Sequence, residues 1–286
     1  MNRKIILSAD NMCDIGDELR EGYDVKYINS RILVGEKTYV DMEEISPEEI
    51  YDAWYKHKIL PKTTGIIPSE YYRSFKKWIA DGYDIIHINI GSAISSSYQN
   101  CSQVAKEIGH IYPIDSASLS TGIGHLVIKA YELMEKGLSP KEVQNEIIAM
   151  REKVHASFIL DTLEFMKAGG RCSPIVAFGA NILSLKPCIE VNNKKCGEMG
   201  VGKKYRGSME IVLNKYVHDK LFNVSNLDLD RVFITHSGSP KSDIALVKKE
   251  IQKLCTFKNI YVTRASGTIS SHCGPRTLGV LFMTRL

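Results

Sequence analysis

Ile85-Ile86-His87-Ile88-Asn89-Ile90-Gly91-Ser92-Ala93-Ile94-Ser95-Ser96-Ser97 reads as a buried strand feeding a helix. The run from Ile85 to Ile90 is short, β-branched and almost continuously apolar, as expected of a strand covered on both faces. Gly91-Ser92 ends it, and Ser92 to Ser95 reads as a strand-to-helix loop. The serines from Ser95 to Ser97 then suit the start of a helix continuing through Val104 and Ile108. His87, inside the run, reads as a packed, hydrogen-bonded core histidine.

The same alternation extends outward. Ile5-Ile6-Leu7 and Ile111 to Ile114 read as further buried strands. Ser46-Pro47-Glu48-Glu49 and Ser139-Pro140-Lys141-Glu142 are capping boxes with proline at the first helical position. Ile50 and Trp54 follow the first on one face, and Val143, Ile147, Met150 and Val154 follow the second at helical spacing. Strands alternating with helices predict an α/β fold with a mainly parallel sheet.

After about residue 155 the texture changes. Ser157 to Leu160, Val232 to Thr235 and Asn259 to Val262 read as strands, and Lys241 to Leu254 as an amphipathic helix. Asn192-Asn193-Lys194-Lys195 suits a turn joining an antiparallel pair. The 286-residue length fits two domains. We expect an N-terminal parallel-sheet domain over 1–155 and a C-terminal α/β domain over 156–286, with a mixed or antiparallel sheet and the ligand between them.

Two glycine-anchored stretches stand far apart: Thr162-Leu163-Glu164-Phe165-Met166-Lys167-Ala168-Gly169-Gly170-Arg171 and Ser270-Ser271-His272-Cys273-Gly274-Pro275. Glycine lets a backbone approach another group closely, and each stretch carries one side chain suited to anions, Arg171 or His272. Gly169-Gly170 also reads as a helix stop with Arg171 complementing the last carbonyls, a role compatible with binding. Thr63-Thr64 and Ser92 to Ser97 add hydroxyls ahead of two expected helix N-termini, which favour anions. Asp10-Asn11, Gly91-Ser92 and Asp115-Ser116 follow apolar runs directly, where open α/β sheets line their ligand crevice.

Other chemistries find less support. A net charge of +4 is mild, and the cations at Lys194, Lys195, Lys203, Lys204 and Arg206 read first as a solvated hairpin, not a nucleic-acid surface. Seven cysteines without a Cys-x-x-Cys, and eight histidines without His-x-x-x-His spacing, predict reduced thiols and no metal site. Gly197 to Lys203 resembles a phosphate loop but lacks the Ser/Thr and the preceding buried strand. Gly122-x-Gly124 lacks the third glycine of a dinucleotide site, so no cofactor is expected. The stretch from Ile175 to Ile189 is too short and interrupted to span a bilayer. Met1-Asn2-Arg3-Lys4 runs at once into a strand-like segment without a signal-peptide core, predicting a cytoplasmic location.

In order along the chain come Ser8-Ala9-Asp10-Asn11 with Asp14; Thr63-Thr64 ahead of Pro68 and Phe75; and Ser92-Ala93-Ile94-Ser95-Ser96-Ser97-Tyr98-Gln99. Then follow Ile114-Asp115-Ser116 with Gly122 and Gly124, Thr162 to Arg171, Lys186-Pro187, Arg206 and His272-x-Gly274-Pro275. As an ordered set these resemble the DegV family, which includes bacterial fatty-acid-binding subunits of fatty acid kinase. Three positions depart from the family pattern. Thr-Ser-Gln-Pro becomes Thr63-Thr64-Gly65-Ile66, Ser-Gly-Thr-Tyr becomes Ser95-Ser96-Ser97-Tyr98, and Gly-Pro-Gly becomes Gly274-Pro275-Arg276, which puts a cation beside the expected site.

The resemblance implies a carrier that buries a long-chain fatty acid and presents its carboxylate to an ATP-binding kinase subunit, with an acyltransferase as a further partner. It implies a carboxylate site at Thr63, Thr64, Ser95, Ser96 and His272, phosphate or partner contacts at Arg171 and Arg206, and no catalytic residue in this chain. Phe165, Ile175 and Phe178 are candidates to line the tail tunnel. Two rivals stand beside it. One is a serine hydrolase or acyltransferase with Ser95 as nucleophile, His272 as base and Asp115 orienting it, although no Gly-x-Ser-x-Gly elbow surrounds Ser95. The other is a binder of another small anionic lipid.

Overall fold

Strand β6 (Tyr83–Asn89) lies inside a four-stranded sheet of order β2-β1-β6-β7, with β1 at Lys4–Asp10, β2 at Lys26–Ile28 and β7 at Ile111–Asp115. Every pair is parallel, with Ile86 level with Leu7 and Tyr112. The computed structural model describes residues 3–170 and 185–285. Helices α3 (Pro68–Ala80), α4 (Ser97–Ile108), α5 (Thr121–Glu135) and α6 (Pro140–Met150) cover this sheet. Their apolar faces join its strands in one core that includes Tyr71, Phe75, Ile85, Ile88, Val104 and Ile147.

The expected capping boxes form at α2 (Pro47–His57) and α6, where Ser46 and Ser139 exchange bonds with Glu49 and Glu142. Such a cap contributes about 1 kcal/mol. α1 (Asp17–Gly22) is short and has no buried residue.

The second sheet has six strands in the order β10-β9-β8-β13-β11-β12. They are β8 (Val154–Ile159), β9 (Leu185–Asn192), β10 (Glu198–Arg206), β11 (Arg231–Ser237), β12 (Asn259–Arg264) and β13 (Thr277–Met283). Only β11 and β12 run parallel; the other neighbours are antiparallel, so the sheet is mixed. Helices α8 (Met209–Leu221) and α9 (Lys241–Leu254) cover one face over Val212, Tyr216, Val247 and Ile251. The division expected between residues 155 and 156 falls inside β8.

The two sheets share α5, which contacts β1 and β6 on one side and β8 and β13 on the other. Two-sided packing explains why Thr121 to Ile128 are all buried. The β9–β10 hairpin, turning at Asn193–Lys195, reaches back so that Ala93 N donates to Cys196 O at 3.1 Å. The Gly197 to Lys203 stretch therefore belongs to a hairpin, not a strand–loop–helix phosphate site. A third sheet, β4-β3-β5, is antiparallel and was not legible in the sequence: β3 is Arg31–Val34, β4 Lys37–Val40 and β5 Lys62–Thr64. Its strands are only three or four residues long, too short to establish a period. Among the described residues no helix is long and apolar enough to cross a membrane.

Candidate functional site

The two glycine-anchored stretches meet. Helix α7 (Glu164–Ala168) ends at Gly169, and helix α10 (Gly267–Cys273) ends at Gly274. A Cβ on Gly169 would sit 2.2 Å from His272 Nδ1, and one on Gly274 would sit 2.7 Å from Phe165 Cδ2. Gly274 also has φ +74°, where other residues are strained. Each glycine thus admits a ring from the other stretch.

Contact with Gly169 places the His272 ring, whose Nε2 lies 2.6 Å from Thr63 Oγ1 in the middle of β5. Next to Thr63, Gly65 lies against the start of α4, where an added Cβ would come within 2.4 Å of Ser96 Oγ and 3.1 Å of Ser95 Oγ. Ser97 Oγ accepts from Ile66 N at 3.0 Å and lies 3.0 Å from Ser95 Oγ, tying the two helix entrances together. Thr63, Thr64, Ser95 and His272 therefore surround one pocket. Below them its walls are apolar, with Met12, Ile94, Leu119, Met166, Met199 and Ile269 closed around a narrow cavity of about 40 Å³. A second, smaller cavity of about 20 Å³ shares Leu119, Ile269 and Cys273 with the first and extends toward Phe158, Ala265 and Leu281.

The structure sorts the sequence candidates. Thr63, Thr64, Ser95 and His272 come together at the rim, whereas Ser96 is exposed at the cap of α4 and outside the pocket wall. Arg206 lies at the end of β10 in a separate open groove with Lys203, Lys204 and Lys215. Arg171, Ile175 and Phe178 lie outside the described residues. Phe165, expected in the tail tunnel, instead packs with Ile32, Ile45, Ile50 and Tyr51, and its neighbour Met166 lines the pocket. Arg276 is held by Asp243, with Nε donating to Oδ2 at 2.8 Å, so its charge is paired.

The strand-end polar residues are taken up in buried hydrogen bonds beside the pocket instead of lining it. Asp10 accepts from Tyr71 at 2.7 Å and from Ile90 N at 2.9 Å, and lies 3.0 Å from His87 Nε2. His87 is thus the hydrogen-bonded core histidine expected. Asp115, cast as an orienting acid in the hydrolase reading, accepts from Ser92 N and Oγ and from Ala117 N. The hydroxyl facing His272 Nε2 belongs to Thr63, while Ser95 Oγ pairs with Ser97 Oγ. Among the described residues these contacts link neither Ser95 nor Asp115 to His272.

Nothing in the sequence pointed to Asp41. It is fully buried and accepts from Gly267 N and Thr268 N, both at 2.8 Å, at the start of α10. Asp14 accepts from Ser266 N at 2.9 Å at the same end. Burial, more than the neighbouring Asp41 charge, raises the Asp14 carboxyl to about 7. Burial likewise pushes the Cys273 thiol in the pocket wall up to about 12, so it is a protonated apolar group and not a nucleophile. Among the described residues no His, Cys, Asp and Glu cluster could hold a metal ion.

A parallel-sheet unit joined to a mixed-sheet unit, with hydroxyls and an imidazole at the mouth of an apolar cavity, defines a two-domain α/β protein. The chain belongs to the DegV family: the model for that family, described as an uncharacterised protein, matches residues 4–285. A DegV domain-containing protein from Clostridium acetobutylicum is 28% identical over 288 residues, covering 99% of each chain. A DegV family protein from Thermus thermophilus, described as binding fatty acid, superposes with a TM-score of 0.86 at 25% identity, covering 99% of this chain and all of that one. The Streptococcus pneumoniae fatty acid kinase (Fak) B3 protein, solved loaded with linoleic acid, shares the fold at a TM-score of 0.83 and 18% identity, covering 99% of this chain and 100% of that one.

Proposed function

We propose that the chain is a fatty-acid carrier: the rim holds the carboxylate, and the acyl tail enters between the apolar walls below it. The observation that carries this reading is the convergence of Thr63, Thr64, Ser95 and His272 on the mouth of an apolar pocket. A carboxylate leaves water at high cost unless it gains hydrogen bonds or a counter-charge. Hydroxyls and an imidazole N–H meet that need. The tail contributes about 0.8 kcal/mol for each CH₂ it buries, so a long chain binds tightly while its head stays at the rim. The Thermus relative described as binding fatty acid supports the ligand class.

The carrier then presents its carboxylate to an ATP-binding kinase subunit, which phosphorylates it to an acyl phosphate. This step follows the name of the pneumococcal neighbour and the lack of a nucleotide motif in the sequence. Arg206, away from the pocket, is assigned to the partner's side of the encounter. The product suits an acyltransferase as the next partner, and the reading places the carrier in the cytoplasm.

The test is native mass spectrometry of the purified protein after incubation with oleate or palmitate. One bound acyl chain, recovered as free fatty acid by organic extraction, is the expected result. An unchanged mass with both lipids refutes the carrier. Adding the kinase subunit and ATP to loaded protein should then yield acyl phosphate, and its absence refutes the presentation step alone.

A further inference from the structure

We infer that Asp41, remote from the rim, is a positioning residue that fixes His272 by clamping the opposite end of α10. Helix α10 has seven residues, about two turns, and supplies Thr268, Ile269, His272 and Cys273 to the pocket wall. So short a helix does not hold its own shape in water, and its placement follows from what grips its ends. At its start the Asp41 carboxylate spans two successive amides, Oδ1 to Gly267 N and Oδ2 to Thr268 N, both 2.8 Å. Asn11 Nδ2 donates to the same carboxylate at 2.9 Å, and Ser30 Oγ does so at 3.3 Å while lying 2.6 Å from Thr268 Oγ1.

The approach is close enough to exclude a side chain on the helix. A Cβ on Gly267 would lie 2.5 Å from Asp41 Oδ1 and 2.8 Å from Ile32 Cδ1. At the other end, Gly169 and Thr63 bracket the imidazole. Thus α10 is a short rod whose first turn is fixed by a buried carboxylate and whose last turn carries the headgroup contact. An acidic side chain also suits the positive end of the helix. An amide in its place can turn an oxygen to only one of the two N–H groups and sets an NH₂ against the other, so the first turn shifts and His272 moves with it.

This inference rests on the carrier reading, and the test separates the two. Dissociation constants for oleate and for oleyl alcohol are measured on wild type, Asp41→Asn, His272→Ala and the double variant. The alcohol keeps the tail and lacks the carboxylate. Asp41→Asn should weaken oleate tenfold or more, leave oleyl alcohol within about twofold, and add less than about twofold on top of His272→Ala. Equal weakening of both ligands, or an undiminished loss in the His272→Ala background, overturns the positioning role. Wild type that does not prefer oleate to the alcohol also overturns it, because there is no headgroup contact to position. Wild type that binds neither refutes the carrier itself. Should Asp41→Asn not fold, Ser30→Ala, which removes one hydroxyl from the clamp and keeps the carboxylate, is judged by the same pattern at smaller amplitude; a pattern-free result overturns the proposal.

Discussion

Replacing Gly169 by alanine should weaken carboxylate binding without weakening the fold. The backbone at Gly169 has φ −75° and ψ −3°, conformations open to alanine. By chain entropy alone, glycine-to-alanine at a compatible position stabilises by about 0.4–1 kcal/mol. The new methyl, however, would lie 2.2 Å from His272 Nδ1 and 2.9 Å from Cε1, against an ordinary contact of about 3.5 Å. The half-buried imidazole must therefore move by roughly 1 Å or more, enough to break the 2.6 Å contact with Thr63 and to withdraw Nε2 from the rim. A hydrogen bond to a charged group is worth about 1.5–3 kcal/mol, so oleate should bind about ten- to a hundredfold more weakly. The assay is titration calorimetry with oleate beside a thermal melt, on Gly169→Ala, His272→Ala and the pair. Expected are a melting temperature at or near the wild-type value, a large loss of affinity in each single variant, and little further loss in the double. Affinity within about twofold of wild type in Gly169→Ala would refute the reasoning. So would full additivity of the two changes, because residues that act through one contact do not add.

Two further outcomes follow from burial. Cys273, with its thiol pushed up to about 12, should resist iodoacetamide in the native protein at pH 8 and react once the protein is denatured. Peptide mapping that finds it labelled as fast as the part-exposed Cys255 would contradict the burial. Asp14 rises from 3.8 to about 7 on folding, so between those values the folded state keeps a proton the unfolded chain has lost. Its contribution is full below about pH 4 and is lost as the pH climbs through 7. Urea unfolding at pH 5 and pH 8 should show a smaller pH-dependent drop in Asp14→Asn than in wild type, and equal drops would exclude the shift.

Residues near in sequence announced themselves. The run from Ile85 to Ile90 declared a buried strand, and Ser46 to Glu49 and Ser139 to Glu142 declared helix starts, because burial periodicity and capping act over a few residues. Asn192 to Lys195 declared its hairpin for the same reason. The three-stranded sheet stayed hidden: Arg31–Val34, Lys37–Val40 and Lys62–Thr64 are too short to show a period, and their pairing depends on where the chain returns. Phe165 was misplaced because an aromatic beside a glycine motif fits a tunnel or a core equally well, and only packing against Tyr51 and Ile50 decided between them.

The sequence by itself determined the alternation of strands and helices, the helix caps, and the presence of Thr63, Thr64, Ser95 and His272 as headgroup candidates. Only the tertiary structure seated Thr63 against a histidine 209 residues away, fitted His272 onto Gly169, paired Arg276 with Asp243, and set the Asp41 carboxylate under the first turn of α10. The physical reason is range. Caps and periods are fixed by neighbours within a turn or two, whereas a close approach such as Gly169 to His272 exists only after separate elements have docked, and one glycine in a sequence looks like any other until something packs against it.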